Sequence, residues 1–100
     1  MDQINKTCFA PELIIKNGVK NIDFYTAAFG AIELRRFSND DGSIHVAELS
    51  INGCMFHLHE VSGTGIFSPD KHDGTTVIIG LFVRDVDDVM KSAMAAGAKL

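Results

Sequence analysis

The side chains best placed for chemistry are Glu48, His57 and His59, which flank an Asn52-Gly53 dipeptide. Asn-Gly favours a two-residue hairpin loop, because both residues tolerate the positive φ that such a turn needs. A loop of that length sets the register, so Glu48 faces His57, Leu49 faces Phe56, Ser50 faces Met55 and Val46 faces His59. Alternation then sorts the hairpin into two faces. Ala47, Leu49, Ile51, Cys54, Phe56 and Leu58 make an apolar face suited to burial under helices. Val46, Glu48, Ser50, Met55, His57 and His59 make a mixed polar face able to meet a ligand. A carboxylate opposite an imidazole favours the imidazolium and fixes its orientation, which suits a general base or a metal ligand. His57 and His59 share one face and can both approach one ion. Three readings fit Glu48 and His57: a solvated cross-strand pair worth ~0.2–1 kcal/mol, a pair lining a ligand pocket, or part of a metal site.

Glu12 is in phase with Ala10 on an earlier strand and can point toward the same face, with His57 or His59 as its partner; a solvated edge position fits equally. His45 reads as a strand-end residue and His72 as a loop residue beside Asp70 and Asp73. The acids Asp85, Asp87 and Asp88 are explained by the favourable field at a helix N-terminus.

These residues need a scaffold, and the periodicity supplies one. A strand is expected over 8–16, followed by a helix capped by Asn17, with Val19, Ile22, Tyr25, Ala28 and Phe29 on its apolar stripe and Gly30 as its terminator. Strands over 31–37, 43–51 and 54–61 follow, the first two joined by an Asn39-Asp40-Asp41-Gly42 turn. Residues 62–75 are rich in Gly, Ser, Thr and Asp, and a connection of that length suits a functional lid or rim. The run 76–83 is almost continuously apolar, as a strand covered on both faces would be. Asp85 then caps a second helix that buries Val86, Val89, Met90, Ala93 and Ala96 and ends at Gly97.

Leu13-Ile14-Ile15-Lys16-Asn17 resembles Leu81-Phe82-Val83-Arg84-Asp85, and Gly30-Ala31 recurs as Gly97-Ala98. A strand–helix–Gly-Ala unit thus repeats after about 67 residues. The first unit continues into three strands, whereas Leu100 falls where the next strand of the second would start. Either the chain is a piece of a longer one or a partner subunit supplies the missing surface. A homodimer sharing the 76–83 strand and the second helix is expected.

Composition narrows the function. With 46% apolar residues over 100 positions the chain can build one modest core. A formal charge of −4 gives no basic footprint for nucleic acid, and no apolar run approaches the ~20 residues of a membrane span. The opening Met1-Asp2-Gln3-Ile4-Asn5-Lys6 lacks the apolar stretch of a secretory signal, and Cys8 and Cys54 read as reduced core thiols. A cytoplasmic location is expected.

Ile22-Asp23-Phe24-Tyr25 followed by Phe29-Gly30-Ala31 resembles the first-helix signature of the vicinal oxygen chelate superfamily, which includes glyoxalases, bleomycin-resistance proteins and extradiol dioxygenases. Val83-Arg84-Asp85-Val86-Asp87 and Ala95-Ala96-Gly97-Ala98 resemble its second helix, and Ala47-Glu48-Leu49 before the hairpin points to the PhnB-like subgroup. The resemblance implies an α+β fold of paired βαβββ units in a single domain over 1–100, with unit one at about 8–61, a linker at 62–75 and an incomplete unit two at 76–100. It also implies a divalent metal in the cup of a curved sheet. The ligand positions it implies fall on Ala10, His57 and Ile78, and only His57 can bind metal. No cofactor is therefore expected. The expected function is a small-molecule binding domain holding its ligand in the cup, with Glu12, Glu48, Met55, His57 and His59 lining the pocket. The alternative is a metal-dependent lyase- or dioxygenase-like enzyme using His57 and nearby acids.

Overall fold

The computed structural model describes residues 7–100, so the opening hexapeptide read above for a leader lies outside the described residues. The chain runs β1 (Glu12–Ile15), α1 (Asp23–Phe29), β2 (Ile32–Ser38), β3 (Ile44–Ile51), β4 (Cys54–Glu60), a 3-10 turn (Pro69–His72) and α2 (Val86–Ala95). This is the expected α+β arrangement, a βαβββ unit followed by a second helix. The four strands form one sheet in the order β1-β4-β3-β2, with β1 parallel to β4 and the other pairs antiparallel.

The central hairpin forms as its turn chemistry requires. Asn52 and Gly53 both take positive φ, 49° and 88°, and the ladder pairs Glu48 with His57, Leu49 with Phe56 and Val46 with His59. Its apolar face makes the core: Ile44, Ala47, Leu49, Phe56 and Leu58 are buried, with Val19 and Ala31 beside them. Tyr25 of α1 lies on Phe56, with ring centroids 5.6 Å apart, and burial pushes its phenol above the ordinary tyrosine pKa. Gly30 ends α1 in the left-handed conformation at φ 66°, its N–H donating to the Thr26 carbonyl.

Several expectations need correction. Asn17 does not cap α1: it sits at φ 63° in a turn with Gly18, six residues before the helix, and the Asn21 side chain instead accepts from the Asp23 N–H. Val19 is no helix residue but forms an isolated bridge to Ile44. Cys8 and Cys54 are free thiols, as expected, but exposed ones rather than core residues.

The largest correction concerns the cup. Residues 76–83 form no strand, so the described residues make one open four-stranded sheet with no second wall curled against it. The expected binding of a ligand in the cup of a curved sheet therefore does not hold. The physical reason is pairing: a β-rich segment becomes a strand only when a neighbour takes its backbone groups, and none of the described strands does so here. The apolar side chains that a cup would enclose are left in the open, with Ile78 92% and Phe82 97% exposed. Asp85 caps α2 as expected, its side chain accepting from the Asp88 N–H at 3.0 Å. That helix packs on α1 through Ala93, while Val86, Met90 and Met94 remain exposed.

Candidate functional site

The sheet register assembles one polar row across all four strands. Arg35 of β2 pairs with Glu48 of β3, Glu48 with His57 of β4, and His57 with Glu12 of β1. Glu48 is 7% exposed although it is charged, and Arg35 accounts for that. Its Nε donates to Glu48 Oε1 and its Nη2 to Oε2, both at 3.1 Å, in the bidentate geometry that suits a guanidinium and a carboxylate. The Arg35 guanidinium also stands 5.3 Å from the Phe37 ring centroid.

Glu48 is thereby committed before it can serve His57. The His57 Nε2 lies 3.8 Å from Glu48 Oε2, beyond hydrogen-bond length, and is buried without a partner among the described residues. His59 Nε2 stands 3.9 Å from Glu12 Oε1, so Glu12 meets one of its two expected partners at ion-pair range, and its side chain is about half exposed. Met55 is half-buried and pairs with the buried Ser50, whose Oγ accepts from the Gly53 N–H. The structure thus brings Glu12, Glu48, His57 and His59 into adjoining positions on the sheet, with Met55 further along β4 toward the hairpin turn.

The described residues supply no ligand set for the metal-dependent alternative. Ala10 and Ile78 carry no donor, and Glu48, the acid nearest His57, is held by Arg35. Among the described residues no three His, Cys, Asp or Glu side chains come together as a metal-holding group. The residues present do not fit the superfamily's metal, and a lyase or dioxygenase built on His57 and nearby acids is not supported.

A second cluster escaped the sequence reading. His45 Nδ1 lies 2.6 Å from Glu60 Oε2, the Asn39 side chain donates to both Glu60 oxygens at 3.2–3.3 Å, and the His45 and His59 rings meet edge-on at 4.9 Å. The hydrogen bond from His45, then that from Asn39, holds the Glu60 carboxyl below its ordinary pKa. Extending the hairpin register one pair beyond Val46 and His59 sets His45 opposite Glu60, so the signal was present. Arg35 was harder to find, because β2 shifts register against β3 between Glu33 and Arg35.

The structure also holds a groove of about 760 Å³ along β1, lined by Leu13, Ile14 and Ile15 on one side and by Val77, Ile78 and Ile79 on the other, with Phe67 and Pro69 at one end. The 3-10 turn carrying Pro69 is tied to the chain after β1 by a Lys16–Asp70 ion pair at 3.2 Å, and Ser68 hydrogen-bonds Asp70. His72, the last residue of that 3-10 turn, packs its ring edge-on to Phe67 at 5.3 Å.

Comparison with known proteins bears on the fold and the site together. The profile of the Glyoxalase/Bleomycin resistance protein/Dioxygenase superfamily matches residues 4–100, and the chain belongs to that superfamily. An uncharacterised protein of Mycobacterium bovis is 38% identical over 93 residues, covering 89% of this chain and 61% of the relative. One from Mycobacterium tuberculosis is 38% identical over the same length, covering 55% of that protein. The chain therefore spans little more than half the length of these relatives. Among solved structures, a gene product of Arabidopsis thaliana superposes with a TM-score of 0.71 at 31% identity, over 94% of this chain and 75% of that one. TioX from Micromonospora sp. ML1 shares the fold at a TM-score of 0.50 and 20% identity, over 89% of this chain and 74% of its own.

Proposed function

We propose that the chain binds a small organic molecule in the groove between β1 and residues 75–80, without the enclosed cup expected from the sequence. One observation carries this reading: a largely apolar concavity of about 760 Å³, within the ~300–1,000 Å³ typical of small-molecule sites. Membership of a superfamily that includes bleomycin-resistance proteins supports a binding role. Glu12 lines the groove, with His59 Nε2 3.9 Å from its carboxylate. Glu48, His57 and Met55 continue the same sheet inward, and Arg35 keeps Glu48 fixed. The test is titration with the uncharged fluorophore N-phenyl-1-naphthylamine, with Ile79→Asp as the blocking variant. Saturable binding that the variant weakens at least tenfold supports the site. Equal binding to both proteins removes it.

The finer assignments rest on sequence. The Ala47-Glu48-Leu49 and Asp23-Phe24-Tyr25 signatures favour the PhnB-like subgroup, and residues 1–100 are read as one domain of a complete and a partial unit in a cytoplasmic protein. No described helix is long and apolar enough to cross a membrane. A homodimer is favoured by the apolar stripe of Val86, Met90 and Met94 on α2, with Phe82 exposed nearby in the chain. At ~25 cal/mol per Å², burial of ~400 Å² of such surface per chain offers ~10 kcal/mol, of which association consumes a large part.

A further inference from the structure

The groove beside β1 is apolar in all but one respect. Of its lining side chains only Glu12 is ionisable, the others being aliphatic, aromatic, proline, glycine or threonine. We infer that the groove selects a ligand with an apolar or aromatic body and a cationic head, the head pairing with Glu12. The inference rests on the groove being the binding site and adds the charge of what it takes.

Three observations carry it. First, Glu12 is available: among the described residues its one neighbour at ion-pair range is His59 Nε2 at 3.9 Å, too far for a hydrogen bond, and its side chain is about half exposed at the groove. Second, two cations of the surrounding fold are already paired. Lys16 pairs with Asp70 at 3.2 Å, and Arg35 pairs with Glu48 on the far side of the row, so neither offers an anionic ligand a free cation. Lys71 stands over the ring of the lining residue Phe67, 5.6 Å from its centroid. Third, the wall facing β1 is built from Val77, Ile78 and Ile79, which offer an apolar or aromatic body contact surface but no charge. An anionic head would meet the Glu12 carboxylate, and a neutral one would forgo the pair.

The experiment uses three probes that share one aromatic body: protonated naphthalene-1-methylamine, naphthalene-1-methanol and naphthalene-1-carboxylate, titrated by fluorescence at pH 7 and low salt. The amine is expected to bind about threefold to fivefold more tightly than the alcohol, as for a part-exposed ion pair, and the carboxylate more weakly than either. Glu12→Gln is expected to erase the amine's advantage while leaving the alcohol unchanged, and Glu33→Gln on β2 is expected to change nothing. Salt should narrow the gap between amine and alcohol. If the three probes bind equally, the charge inference falls and the groove reading stands. If neither the amine nor the alcohol binds, or the alcohol binds equally to Ile79→Asp, both fall. Affinity for the amine that declines as protein concentration rises would show a second copy occupying the groove, which also overturns the inference.

Discussion

Glu48 has both carboxylate oxygens engaged by Arg35 at 3.1 Å while its side chain is almost buried, so the pair behaves as one unit. Removing the guanidinium leaves a carboxylate that neither water nor His57 at 3.8 Å fully satisfies. Arg35→Ala is therefore expected to cost about 1–3 kcal/mol in urea unfolding. Arg36, which holds Glu33 at the more exposed edge, provides the contrast, and Arg36→Ala is expected to cost under ~1 kcal/mol. Adding Glu48→Gln to the Arg35→Ala protein should recover part of the loss, because the orphaned charge is gone. Equal costs for the two arginines, or no recovery, would show that Glu48 is solvated after all. At this scale the sequence exposed the facing of Glu48 and His57 but not the fact that Arg35 intercepts the carboxylate. Hairpin register follows from two residues, whereas the position of Arg35 depends on a bulge with no signature of its own.

The elements were legible wherever local chemistry decides them. Asn52-Gly53 dictates the hairpin, Gly30 ends α1, and Asp85 caps α2, each through backbone conformation or a hydrogen bond within a few residues. Elements that depend on distant partners were not legible. Residues 76–83 have strand composition yet no strand, and Val19 leaves the helical stripe to bridge Ile44. Between these cases lies the junction of His45, Glu60 and Asn39, which ties the start of β3 to the end of β4 and to the turn after β2. The hydrogen bonds that lower the Glu60 pKa favour its ionised form in the folded state. A carboxyl whose pKa is depressed on folding contributes stability above its unfolded pKa and loses it as pH falls through the folded one. Part of the acid destabilisation is thus expected to come from Glu60 as pH drops below the ordinary glutamate range, and Glu60→Gln should flatten that part of the profile. Parallel pH profiles for wild type and variant would contradict this assignment.

Across the whole molecule, burial is uneven. The core lies in the first unit and its sheet, while the Cα radius of gyration, 14.2 Å, exceeds the ~13 Å of a compact chain of this length. The excess accompanies a 76–83 segment outside any helix or strand and an α2 that leans on α1 alone among the helices and strands it contacts substantially. The exposed stripe on α2 is expected to bring two copies together, and Met90→Glu with Met94→Lys should shift light scattering at micromolar concentration toward monomer. A wild-type protein already monodisperse as a monomer there would end the dimer. Small-molecule binding beside β1 is tested residue by residue through backbone amide chemical shifts followed while N-phenyl-1-naphthylamine is added. The largest changes are expected at residues 12–15 and 77–79, the two walls of the groove. Changes confined to α2 and the β2 edge, or none at saturating probe, would contradict it.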